Sequence, residues 1–230
     1  MTLRRKAVRP RRTAPHSPAP RRKTATRGTS ATRRTAAPRV RTAAANIAAG
    51  QAASAFIAES RRRLRQEYLP KIRHVTQALS KRDLWWRPNS SSNSIGNLML
   101  HLDGNVRQWI VAGVSGVPDV RDRDAEFLAH EAADASALLA QVGRTLLHAD
   151  RVLARLRPED LIAPREIQGY RVTVLQAIYH VVEHFSGHTG QILYVAKLRL
   201  DRDLALYAHL DGPKRRARRR TPRPRRSRFF

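Results

Sequence analysis

The chain has 230 residues and a formal net charge of +27, from 45 Lys+Arg against 18 Asp+Glu. It holds no cysteine, which excludes disulfides, thiolate-bound zinc and a cysteine nucleophile, and fits a reducing compartment. No apolar run reaches the roughly 18 residues that a membrane span needs, so the expectation is a soluble, cytoplasmic protein without a membrane partner.

The charge sits at the ends. Residues 1–50 hold 14 Lys+Arg and residues 213–230 hold 10, neither with an acid, whereas residues 51–212 carry 21 basic and 18 acidic residues, a net of +3. The sequence thus divides into a basic tail (1–50), a near-neutral domain (51–212) and a second basic tail (213–230). Arg, Ala, Thr and Pro dominate the first tail, and neither tail can bury enough apolar surface to offset its ordering entropy, so both are expected to be disordered. Three uses stay open for them. They could associate with nucleic-acid phosphates without sequence preference. The first has the composition of an organelle transit peptide, although a basic tail at the other end counts against that use. Both could be unconstrained composition and nothing more.

The 162-residue middle reads as four helices. From Ala52 to Leu79, apolar residues recur every three to four positions (Phe56, Ile57, Leu64, Tyr68, Ile72, Val75), and Pro70 should kink or interrupt the helix. The turn cluster Pro88–Ser94 offers Asn93 or Ser94 as the cap of a second helix, with Ile95, Leu98, Leu102, Val106 and Ile110 on its apolar side and Gly113 near its end. A long polar loop covers about 114–129. The third helix runs from about Ala132 to Leu156, stopping before Pro158. No internal repeat or convincing strand pair appears; Ile167–Val172 suggests a brief extended segment or turn. The fourth helix, about Thr173 to Leu200, is apolar nearly all round and reads as the most buried. Four such helices with short connections predict an all-α bundle, in which metal sites form between facing helices.

The fourth helix carries His180, His184 and His188 at four-residue spacing. Residues four apart share a helix face and can grip one ion, but eight residues span about 12 Å, so all three cannot. Two of them plus a ligand from elsewhere would make a three-histidine site with an open position, as in catalytic rather than structural centres. Of the six others, His16 and His209 lie in or near the tails, His130 and His148 among polar neighbours, and His74 beside the first-helix stripe without polar company. His101 lies on the second helix in register with Asn97 and Asn105 and is the candidate third ligand. Glu183 precedes His184, so the His-Glu-x-x-His arrangement of zinc peptidases is missing, as is a Gly-x-Ser-x-Gly elbow.

Three segments in order, Asn93-Ser-Ile-Gly-Asn-Leu-Met-Leu-His101-Leu-Asp-Gly-Asn-Val-Arg-Gln-Trp109, Arg121-Asp-Arg-Asp-Ala-Glu-Phe127 and His184-Phe-Ser-Gly-His188-Thr-Gly-Gln191, resemble the DinB/YfiT-like superfamily of metal-dependent four-helix proteins over roughly residues 54–212. The resemblance implies an antiparallel four-helix bundle, commonly a homodimer, with zinc or nickel as the divalent metal and His101, His184 and His188 as its ligands. His180 then falls one turn along, at the cavity wall or in an outer shell with Asn97, Asn105 and Gln191. Gly187 and Thr189 depart from the bulkier residues, often His and Arg, that flank the last ligand in many relatives. Some members transfer or isomerise substrates with a low-molecular-weight thiol. Three neutral imidazoles would leave a cation its full charge to deprotonate a bound thiol, and a thiol cosubstrate suits a chain without cysteine because the sulfur arrives with it. The same ion could activate water for hydrolysis. Arg107, Gln108, Trp109, Tyr170 and Tyr179 are candidates for a binding wall, with ordinary packing the alternative for the aromatics. A non-catalytic metal-binding stress protein, acting through tails that associate with nucleic acid, is the competing reading.

Overall fold

The computed structural model describes residues 38–208, and these are mostly helical. The expectations for residues 1–37 and 209–230, including His16 and His209, lie outside the described residues.

The first helix begins earlier than the apolar period suggests. α1 (Pro38–Arg62) continues through a π-helical turn, Arg63–Tyr68, into α2 (Leu69–Thr76). Residues 42–49 are exposed, so their helicity comes from propensity: the stretch is rich in alanine, and Pro38 suits a first helical position. Pro70 does not break the path. A proline inside a helix lacks an N–H and crowds the carbonyl four residues back, and the wider π turn just before it absorbs that mismatch.

α3 (Lys81–Leu84) is a single turn capped by Ser80. α4 (Ile95–Val106) opens on Ser94, whose side chain accepts from the Asn97 N–H while Asn97 Oδ1 accepts from the Ser94 N–H, a reciprocal capping box. It too passes into a π turn, Arg107–Ala112. The segment read as loop contains a further short helix, α5 (Arg123–Leu128), started by Asp122 accepting from the Ala125 N–H. α6 (Ala135–Ala154) is capped by Asp134. After a 3-10 turn at Pro158–Ile162, the brief extended segment is a two-stranded antiparallel hairpin. β1 (Pro164–Ile167) and β2 (Tyr170–Thr173) pair from Pro164↔Thr173 to Ile167↔Tyr170. Its turn residues Gln168 and Gly169 have φ of 54° and 78°, the positive values that a two-residue primed turn requires. Thr173 and Gln176 form the capping box of α7 (Val174–Leu200).

α4 lies at the centre, packed on α6 and α7 and covered by α5 from Asn97 to Gly104, while α2 and its π turn lie on α7. Phe185, Ile72, Met99, Leu102, Leu146 and Ile178 are among the fully buried side chains of the shared core. Polar pins fix the outer elements. Arg61 and Arg65 hold Asp150, Trp85 Nε1 donates to the Ala133 carbonyl at 2.8 Å, and His74 Nε2 lies 2.7 Å from the Leu204 carbonyl. His74 therefore has polar company after all, from a chain segment 130 positions away. α7 also departs from its expected burial. One face packs inward, but Leu175, Tyr179, Tyr194 and Leu198 are exposed. No helix among the described residues is long and apolar enough to cross a membrane.

Candidate metal centre

α4 and α7 pack so that His101 meets the histidine face of α7. His101 and His184 approach through their Nε2 atoms at 2.9 Å, and one potential ligand atom from each of His101, His184 and His188 lies within 4.8 Å of the others. The rings are 4.9 Å (101–184), 5.0 Å (101–188) and 4.4 Å (184–188) apart at their centroids. His101 is buried and the other two are half-buried.

The far sides of the His101 and His188 rings show how the cluster is oriented. His101 Nδ1 lies 2.9 Å from Glu126 Oε2, and donating its proton there leaves the Nε2 lone pair facing the other histidines. Burial alone would raise the Glu126 pKa, but hydrogen bonds from Arg121 and His101 outweigh it and hold the carboxyl below its usual range. Arg121 grips both carboxylate oxygens, Nε to Oε1 at 2.7 Å and a terminal nitrogen to Oε2 at 2.8 Å, and also donates to Gln108 Oε1 at 2.8 Å. The 3.1 Å approach of Arg121 to His101 Nδ1 is a proximity rather than a bond, because both atoms are donors once Nδ1 is protonated. His188 Nδ1 donates to Gln191 Oε1 at 2.7 Å, which likewise frees Nε2.

The imidazoles of α7 are held neutral. Desolvation, reinforced by the neighbouring histidines and Arg121, lowers the His184 pKa to about 3. Desolvation also lowers His188, against the hydrogen bond it donates to Gln191, which raises it. His180 falls for the same first reason, partly opposed by Glu183.

The remaining candidates divide. His180 stands outside the three-histidine group: its Nε2 accepts from Asn105 Nδ2 at 3.3 Å, and its ring packs tilted against Trp109 with centroids 4.0 Å apart. Trp109 in turn stacks on Tyr170, extending an aromatic wall outward. Asn97 lies away from the ligand atoms. It is fully buried, and its amide donates to the carbonyls of Glu126 and Ala129, both at 2.9 Å, tying α5 and its carboxylate to the start of α4. Arg107 reaches Asp103, Tyr179 points to solvent, and His130 and His148 are exposed. Thr189 is buried and bonds back to the Phe185 carbonyl, while Gly187 faces outward. Glu126 and Arg121 complete the centre; both lie in the segment Arg121–Phe127 that carries the resemblance, but nothing in the sequence assigns either a role at the site. Among Asp119, Asp122 and Asp124 in the same polar stretch, no spacing marks Glu126 as the inward acid.

Residues 51–208 match the model of a family described as a protein of unknown function, DUF1572. The chain belongs to that family. The match covers both ligand-bearing helices and Glu126, so the histidine cluster lies wholly inside the DUF1572 domain. No curated protein matches the chain.

Proposed function

We propose that this domain is an antiparallel four-helix bundle of the DinB/YfiT-like kind that holds a divalent cation, zinc or nickel, on His101, His184 and His188. The observation that carries the reading is the convergence of three histidines from two helices within 4.8 Å. Their environment fits the group. Desolvation lowers the pKa of His184 and His188 and keeps both neutral, and two of the three ligands, His101 and His188, carry an acceptor on Nδ1 that directs Nε2 inward. The 2.9 Å separation between His101 Nε2 and His184 Nε2 is that of one shared proton, the place that a cation with two lone-pair ligands takes over.

A cation bound to three neutral ligands supplies undiminished positive charge, which lowers the pKa of a thiol or water beside it. The chain's own residues do the rest. Glu126 fixes the His101 ring, Arg121 keeps that carboxylate charged, and His180 with Trp109 and Tyr170 forms a wall against which an organic substrate can lie. With no cysteine in the chain, a sulfur nucleophile must arrive with a cosubstrate, and we therefore favour thiol S-transfer with a low-molecular-weight thiol over hydrolysis. One observation favours the competing class, a non-catalytic metal-binding stress protein: basic residues without a single acid at both ends suit polyanion association.

Elemental analysis of the purified full-length chain tests the proposal. Close to one equivalent of divalent transition metal is expected, retained in His74→Ala and lost in His101→Ala and His184→Ala. A wild type that takes up no zinc or nickel, or a His184→Ala variant with full occupancy, would overturn it. Turnover of electrophiles with small thiols by the loaded wild type then separates the transferase from the non-catalytic reading.

A further inference from the structure

A trough of about 460 Å³ lies between α2 and α6, lined by Arg73 of the first helix and by Leu139, Ala140, Gly143, Arg144 and Leu147 of the second. It shares no residue with the histidine centre. A second hollow of about 340 Å³ shares Leu139 with it and continues toward Leu79 and Leu84. Gly143 is the residue that the fold leaves unexplained. It stands in the middle of the 20-residue α6, where glycine is the least favoured residue apart from proline. Its backbone is not in the left-handed region, and a Cβ there would meet no heavy atom within 4 Å. Neither the backbone nor a neighbour requires a glycine, and its missing side chain deepens the trough instead.

The two arginines are uncommitted. Arg61 and Arg65 hold Asp150, Arg107 holds Asp103 and Arg199 holds Asp83. The guanidinium groups of Arg73 and Arg144 make no hydrogen bond or ion pair among the described residues, and no acid lines the trough. Two cations beside an apolar floor select an anion with an apolar body, and the planar guanidinium fork matches a carboxylate. Size then decides against a polypeptide. Leu139 is 8% exposed and Leu147 38%, so the trough offers far less apolar area than the roughly 800 Å² per partner of a stable protein interface. Its volume instead falls within the roughly 300–1,000 Å³ of small-molecule sites.

We propose that this trough binds a long-chain carboxylate, with the acyl chain lying over Ala140 and Gly143 against Leu139 and Leu147, and the carboxylate held by Arg73 and Arg144. The site does not depend on a metal. Each further CH₂ group that the trough covers strengthens binding by up to about fourfold. The acid-free basic ends of the chain attract any anion and gain nothing from a longer alkyl chain, so chain length separates their contribution from that of the trough.

Isothermal titration tests this on the full-length chain, freed of metal with a chelator so that no ion can take the carboxylate. Octanoate, decanoate and dodecanoate, each below its micelle concentration, should bind saturably and more tightly as the chain lengthens. Decanol, which lacks the charge, should bind at least about tenfold more weakly than decanoate. Arg73→Gln with Arg144→Gln should weaken dodecanoate by about 10–100-fold without changing the melting temperature. Gly143→Leu fills the trough with a side chain that meets nothing else in the fold. It should abolish binding while the protein melts no lower than wild type. An affinity that does not rise from octanoate to dodecanoate overturns the proposal, as does full affinity in Gly143→Leu or in the double arginine variant. So does a sedimentation mass that falls in Gly143→Leu, which would assign the trough to contacts between copies of the chain.

Discussion

Glu126 sets what His101 can do. Its carboxylate is nearly out of solvent and carries two obligations, the His101 Nδ1 proton and the Arg121 guanidinium, whose side chain is 2% exposed. Glu126→Gln keeps the shape but removes the charge that orients the imidazole. Affinity for zinc, read by competition with a chromophoric chelator, should drop about 10–100-fold. An unchanged affinity would mean that the carboxylate does not position the ligand. Glu126→Ala goes further and strands a buried guanidinium, for which about 3–5 kcal/mol of stability should be lost in urea unfolding of the metal-free protein. His184 adds a pH dependence. Its folded pKa of about 3 lies below the 6.5 of an unperturbed imidazole, so between those values the unfolded chain binds a proton that the folded chain does not. Stability from this source is complete above pH 6.5 and declines as the pH falls toward 3. Melting temperatures of metal-free protein should therefore fall from pH 7.5 to pH 5, and His184→Gln should flatten the fall, leaving the shares of His180 and His188. Parallel curves for the two proteins would contradict the assignment.

At the scale of elements, α4 and α5 meet over a glycine. A Cβ at position 104 would lie 1.8 Å from Glu126 Oε1 and 2.8 Å from Arg121 Nε, so the carboxylate occupies space that only glycine leaves. Alanine normally favours a helix interior over glycine by about 1 kcal/mol. Gly104→Ala should nonetheless lower the melting temperature and weaken metal retention, because Glu126 must move away from His101. A variant more stable than wild type, with full metal content, would show that α5 yields without loss. The sequence made some of this legible. The periods of α4, α6 and α7, the Ser94 cap and the stop before Pro158 depend on neighbours within a turn or two, and the four-residue spacing of His184 and His188 places both on one helix face in any context. Other features have distant causes. α5 is too short for a period, and its role depends on Gly104 and Asn97 more than 20 positions away. The His74 partner lies at Leu204. The apolar run of α7 reads as buried throughout because composition cannot separate a core-facing leucine from an exposed one such as Leu175 or Leu198.

Across the whole molecule the charge is segregated rather than merely high. Residues 51–212 carry a net +3, while the flanking 1–50 and 213–230 contribute 24 positive charges and no negative one. Fields from exposed charges fade over a Debye length of about 10 Å at 0.1 M salt, so basic segments of this kind act on a polyanion locally and their effect weakens as salt rises. If they serve as the polyanion-binding part, full-length protein should bind duplex DNA and RNA with little sequence preference. An interaction that engages some 6–10 phosphates should lose about 10³–10⁵ in affinity between 50 and 200 mM salt as counterion release weakens. Removing residues 1–50 and 213–230 should abolish most of that binding and flatten its salt dependence. Metal content and melting temperature should stay within error, since the ligands, Glu126 and the shared core all lie between residues 51 and 208. Fluorescence anisotropy with a labelled duplex across a salt series, run on both proteins, measures the difference directly. Equal affinities would remove the tails from the function and locate any nucleic-acid contact on the helical domain itself.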